Sequence, residues 1–124
     1  KEADIFLIVD AIGNRQWDRA LAEVRRILDE GAHPLYILTM IHRQYRMIAQ
    51  ARALAGERLS PRELGRRLGV HEYPAKKALA QSGKYSEAQI VHIYDRILAT
   101  DLAIKTGQMD GPLALEVFIA DLAR

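Results

Sequence analysis

Ile90-Val91-His92-Ile93-Tyr94-Asp95-Arg96-Ile97-Leu98-Ala99-Thr100-Asp101-Leu102-Ala103-Ile104-Lys105-Thr106-Gly107 is the stretch whose periodicity decides the fold class. At about 100° per residue, Ile90, Ile93, Tyr94, Ile97, Asp101 and Ile104 share one side of a helix, with Lys105 at its edge. A carboxylate in such a stripe calls for a partner, because an ionised carboxylate buried alone is very costly. Lys105, an Arg on a facing helix, or free amides at a neighbouring helix start would satisfy it. A structural ion pair is the first reading of Asp101. Catalysis would need a second acid, a metal set or a nucleophile beside it, and the sequence offers none. The remaining reading is a partner-facing helix end, since Gly107 can stop the helix in a left-handed cap that exposes carbonyls.

Working outward, the same period recurs along the chain, and no run of alternating β-branched residues between turn signals suggests a strand. Ile5, Phe6, Ile8, Val9 and Ile12 mark a short first helix stopping near Gly13-Asn14. Trp17, Ala20, Leu21, Val24, Ile27 and Leu28 mark a second, closed by Gly31, and the short turn between them makes an antiparallel hairpin. His33-Pro34 opens a long third helix, apolar almost all round from Leu35 to Ile41 and therefore central, which continues to Ala55-Gly56. Ser60-Pro61-Arg62-Glu63 has the form of a capping box for a fourth helix running to Leu68, with Gly69 as its stop. Tyr73-Pro74 opens a fifth through Gln81, Ser86-Glu87 caps the helix that carries Asp101, and Asp110-Gly111-Pro112 starts the last. Its stripe of Leu115, Phe118, Ile119 and Leu122 docks on the core. The reading is an all-α single helical bundle of about seven helices spanning residues 1–124, with no internal repeat and no dividing linker.

At 124 residues, 49% hydrophobic and 27% charged, the chain can bury one core without disulfides or metal. With no Cys there is no thiol chemistry, which suits a reducing cytoplasm. The longest apolar run, Ala3 to Ala11, is interrupted by Asp4 and Asp10 and falls far short of the roughly 20 residues that span a bilayer, so a soluble protein without a membrane role is expected. The chain starts without Met and goes straight into an amphipathic pattern, as a fragment of a longer polypeptide would. The net charge of +2 hides an uneven distribution: His42 to Lys84 carries ten Lys and Arg against three Glu, a net +7, and the rest of the chain sums to −5. Such a segment can meet phosphate, an acidic partner or only water.

Leu64-Gly65-Arg66-Arg67-Leu68-Gly69-Val70 followed by Pro74-Ala75-Lys76-Lys77-Ala78 reads like a helix-turn-helix, in which Lys76, Lys77 and Gln81 would face DNA. Pro74 shortens the second helix, which offers few side chains for reading base edges. His33, His42, His71 and His92 lack the spacing of a metal site, and no glycine-rich phosphate loop occurs, so no cofactor, metal or small-molecule substrate is expected.

Arg43-Gln44-Tyr45-Arg46, Tyr73-Pro74-Ala75-Lys76-Lys77 and Asp101-Leu102-Ala103-Ile104-Lys105-Thr106-Gly107, in this order, resemble the C-terminal part of the delta subunit of bacterial DNA polymerase III. The likeness extends to Val9-Asp10-Ala11-Ile12, Ala20-Leu21 and Leu113-Ala114-Leu115-Glu116, and so spans almost the whole chain. The resemblance implies a C-terminal collar domain of the clamp loader, the assembly that opens the sliding clamp and places it on primed DNA. In that family the domain holds the subunits together, while the clamp-opening and nucleotide-type folds lie in an N-terminal part absent from this chain. A non-catalytic, hetero-oligomeric role with other clamp-loader subunits follows, within a parent protein that counts as part of a DNA-directed DNA polymerase. Asp101 and Lys105 would then fix the long helix and its Gly107 turn. Arg43, Arg46, Arg62, Arg66, Arg67, Lys76 and Lys77 would be candidates for contact with neighbouring subunits or with DNA emerging near the collar. Gly65 and Gly69, each costing up to about 1 kcal/mol against alanine inside a helix, are expected to soften the basic segment. The rival reading is a helix-turn-helix DNA-binding regulator, which predicts salt-sensitive duplex binding. A helical hydrolase with a polar pocket around Asp101 ranks last.

Overall fold

Four of the helix starts in this chain carry a side-chain cap. In the computed structural model, which describes residues 2–124 with side chains from Asp4 onward, α1 runs Glu2–Gly13, α2 Trp17–Asp29, α3 Pro34–Leu54, α4 Pro61–Leu68, α5 Glu72–Ser82, α6 Glu87–Lys105 and α7 Gly111–Leu122. These are the seven helices, and no strand occurs among the described residues. His33 Nδ1 accepts from the Leu35 amide at 3.1 Å ahead of Pro34, so one histidine serves as the cap of the central helix. Ser60 caps α4 by accepting from the Glu63 amide at 3.1 Å, while the Glu63 carboxylate turns to Arg66 and Arg67 rather than closing the box. The reciprocal box forms at α6, where Ser86 Oγ accepts from the Gln89 amide and Gln89 Oε1 accepts from the Ser86 amide.

α3 is central because its apolar stripe is the widest. Ile37, Ile41, Tyr45, Ile48 and Ala51 are all fully buried, and the helix touches α1, α4, α5, α6 and α7. The α1–α2 hairpin lays Ile8, Ile12, Ala20 and Val24 on one side of it, and α7 adds Leu115, Phe118 and Ile119. Each such aliphatic or aromatic side chain contributes about 1.5–3 kcal/mol when taken fully out of water, so this one cluster dominates the fold's stability.

A polar junction crosses the core at one end. The Tyr85 hydroxyl donates to the Ile12 carbonyl at 2.9 Å and lies 3.0 Å from the Tyr45 hydroxyl, with the rings edge to face at 5.5 Å. Burial pushes both phenols above their ordinary ionisation range, so they remain neutral partners. Arg52 Nε donates to the Tyr85 carbonyl at 3.1 Å. Together these bonds tie the end of α1, the middle of α3 and the loop before α6. Beside them Gln44 Nε2 donates to Gln81 Oε1 at 2.8 Å, joining α3 to α5. Gly13 permits that approach, since a methyl there would overlap the Gln81 amide.

Candidate functional site

The singled-out carboxylate is paired and half-exposed. Asp101 Oδ2 lies 3.1 Å from Lys105 Nζ, one turn along α6. The expectation that Asp101 sits within the buried stripe is corrected: the inward face runs Ile90, Ile93, Ile97 and then Thr100, whose hydroxyl donates to the Arg96 carbonyl at 2.7 Å. One step past the inward position, Asp101 reaches the flank, where a single surface partner suffices. Exposed pairs at this spacing contribute about 0.3–0.5 kcal/mol. Around it Thr39, His42, Arg46, Tyr94 and Leu98 line an open trough of about 530 Å³.

Gly107 adopts φ +73 and ends α6 in the left-handed cap that its sequence signals. The expected display of free carbonyls does not follow. The Thr106 amide and hydroxyl both donate to the Leu102 carbonyl, the Met109 amide to Ala103, and the Gly107 amide to Ile104. The turn satisfies its own acceptors and leaves none of these three for a partner.

The seven candidate cations divide by what they touch. Arg66 lies 3.5 Å from Glu63, Arg67 lies 2.9 Å from Glu57, and Lys77 lies 2.7 Å from Asp10, whose hydrogen bond holds the Lys77 ammonium above its ordinary range. Arg43, Arg46, Arg62 and Lys76 are exposed and carry no ion pair among the described residues. Arg43 and Arg46 stand on opposite flanks of α3, the first toward α1 and α5, the second toward α6.

α4 and α5 do form a helix pair with a tight turn at Gly69, which adopts φ +72. Their surface is not that of a DNA reader. Gln81, expected to face DNA, is buried against Gln44, and Lys77 is tied to Asp10, leaving Lys76 alone outside. The reason is that α5 packs its inner face on α3 through Ala75, Ala78 and Gln81. Of the two glycines, Gly69 lies at the cap of α4 and not in its interior, and Gly65 has a packing role. A methyl on Gly65 would lie 2.8 Å from the Val70 carbonyl, so the missing side chain is what lets α4 close on the turn into α5.

Sequence reasoning missed the groove between α1, α3 and α5, about 480 Å³, which collects Phe6, Tyr36, Met40, Arg43 and Met47 over the Gln44–Gln81 pair. A signal was available: Gln44 falls between Ile41 and Ile48 on the buried stripe of α3.

An all-helical packing domain with paired charges at its edges and two open troughs beside its central helix is the class these features define. The family model "DNA polymerase III delta subunit, C-terminal domain" matches residues 2–122, and the chain belongs to that family. It is 28% identical over 123 residues to DNA polymerase III subunit delta of Bacillus subtilis (strain 168), covering 99% of this chain and 35% of that protein. The solved structure of the Bacillus subtilis DNA clamp loader delta protein (YqeN) superposes with a TM-score of 0.84 at 28% identity, over 97% of this chain and 35% of that one. The chain therefore spans about a third of the length of these relatives.

Proposed function

We propose that this chain is the collar domain of a bacterial clamp-loader delta subunit, a non-catalytic module that holds the loader's subunits together while the sliding clamp is placed on primed DNA. The agreement of fold and sequence with a clamp loader delta protein along nearly the whole chain is the observation that carries this reading. On it, residues 1–124 are one C-terminal domain of a longer cytoplasmic protein, which contributes to DNA polymerase III through assembly rather than through chemistry in this domain. Helix bundles suit ring interfaces because they meet neighbours by whole faces. Arg43, Arg46, Arg62 and Lys76, free of ion pairs among the described residues, are the cations we assign to neighbouring subunits or to DNA emerging near the collar. Arg66, Arg67 and Lys77 contribute only at the expense of their present partners.

The test is size-exclusion co-elution of the protein with purified partner subunits of a bacterial clamp loader. Co-elution that weakens in Arg43→Glu or in Lys76→Glu/Lys77→Glu is expected. Absence of any complex, together with tight and salt-dependent binding to duplex DNA, would sink the collar reading.

A further inference from the structure

The trough between α1, α3 and α5 has the composition of a recognition groove, and its contents are unusual for a surface left to water. Phe6 and Tyr36 are 44% and 45% exposed at its walls, and Tyr73, at 58%, packs its ring 6.4 Å from Phe6. Met40 and Met47 on α3 give it a floor of flexible, polarizable side chains that adapt to different apolar shapes. At its depth Gln81, 1% exposed, uses its oxygen to accept from Gln44, while its Nε2 has no hydrogen-bond partner. That nitrogen is closed off from solvent, so the groove has a polar layer, short of one acceptor, beneath its methionines. At the rim stands Arg43, exposed and without an ion pair among the described residues.

We propose that this groove docks an acidic peptide segment of a partner protein. A large apolar side chain of that segment lodges among Phe6, Tyr36 and the two methionines, and a carboxylate meets the Arg43 guanidinium. Charge argues for an acidic occupant, since Lys77 and Asp10 of the lining pair with each other and the positive charge of Arg43 is left over. It also argues against a nucleic-acid strand. Backbone binding needs a track of free cations, whereas here Lys77 is already held by Asp10 at 2.7 Å and Arg43 stands as the one unpaired cation of the described lining. An apolar trough with a charged rim is the helix-in-groove mode of peptide recognition. The inference stands independently of the collar reading, because it concerns the chemistry of the groove and not the identity of the protein that supplies the segment.

The experiment is a titration of the ¹⁵N-labelled protein, followed by amide chemical shifts, with two synthetic peptides of equal length. One is built of Glu, Leu and Phe; the other has Lys in place of every Glu. An oligo-dT strand is the third probe. The acidic peptide should shift the amides of Phe6, Met40 and Arg43 and the side-chain NH₂ resonances of Gln81. Arg43→Glu should weaken its binding about tenfold or more and make the Lys peptide the better ligand. Arg124→Glu, at the chain end outside the groove, should leave the affinity unchanged. Arg43 is exposed, so its variant should keep the native spectrum elsewhere. The proposal fails if millimolar acidic peptide leaves the groove resonances in place. It fails equally if both peptides bind alike, if Arg43→Glu has no effect, or if oligo-dT shifts the groove resonances in preference to the acidic peptide. Co-elution of the unsubstituted protein with loader subunits reads a separate property, so failure of either proposal is visible without the other.

Discussion

Two polar regions of this bundle stand at opposite energetic extremes. The junction of Tyr45, Tyr85, Gln44 and Gln81 is neutral and buried, and it links α1, α3, α5 and the loop before α6 through bonds of 2.8–3.0 Å. The end of α6 carries full charges on Asp101 and Lys105, yet it is half-exposed and its ion pair joins residues of one helix. Formal charge draws the eye in a sequence, but solvent screens it where it is exposed, whereas a neutral hydroxyl or amide in the core must find its partner or lose its hydration for nothing. The junction therefore decides stability and the helix end does not.

The largest test of this contrast is Gly13→Ala. Alanine favours a helix by up to about 1 kcal/mol over glycine, but the new methyl would overlap the Gln81 amide, which is buried and bonded to Gln44. Overpacking should win, with a net loss of about 2–3 kcal/mol read from the urea midpoint. A stabilised variant would show that the junction yields freely and would break the comparison. Tyr85→Phe comes next. It removes the donor to the Ile12 carbonyl and strips the Tyr45 hydroxyl of its neighbour, for an expected loss of about 1–2 kcal/mol. Tyr45→Phe in the same background should then cost little, since the two hydroxyls act as a unit.

The helices were legible because capping residues and glycines act locally: His33-Pro34, Ser60-Pro61, Ser86 and Asp110 start helices where the sequence places them, and Gly107 stops α6. The first helix stops at Gly13, where the sequence places its end. The left-handed residue of the α1–α2 turn is Arg15, at φ +60, and its guanidinium lies over the rings of Trp17 and Tyr85 at 5.4 and 5.0 Å. Periodicity assigns a residue to a face, but it does not say which other face it meets. Gln44 and Gln81 are 37 residues apart, Tyr45 and Tyr85 40, and both contacts exist only after α5 and α6 have packed on α3. The expectation that Lys77 and Gln81 stand free on the outer face of α5 failed for the same reason. The spacing of Lys77 and Gln81 was visible, and the wall they pack against was not.

Among surface charges the comparison sharpens further. Arg25 on α2 donates to Glu116 on α7 at 2.8 Å and holds that carboxyl below the ordinary glutamate range, chiefly through the hydrogen bond. A depressed folded-state pKa stabilises the fold above the ordinary range, and the benefit disappears as pH falls through the folded value. Glu116→Gln should thus be less stable than the parent at neutral pH, with the gap closing in acid, as thermal melts across pH would record. A gap that persists unchanged in acid would assign the effect to packing instead.

Asp101→Asn should do least. Its carboxylate bridges only to Lys105 of the same helix, at side-chain exposures of 34% and 60%, and Thr100 rather than Asp101 faces the core. The Gly107 turn closes through backbone bonds to Leu102, Ala103 and Ile104 that the substitution leaves intact. The expected loss is at most about 0.5 kcal/mol, and it should shrink further in high salt. A loss of several times that size, insensitive to salt, would mean that the carboxylate orders the end of α6 by a route other than its ion pair. The charged helix end would then rank beside the buried junction, and the contrast between the two regions would fail.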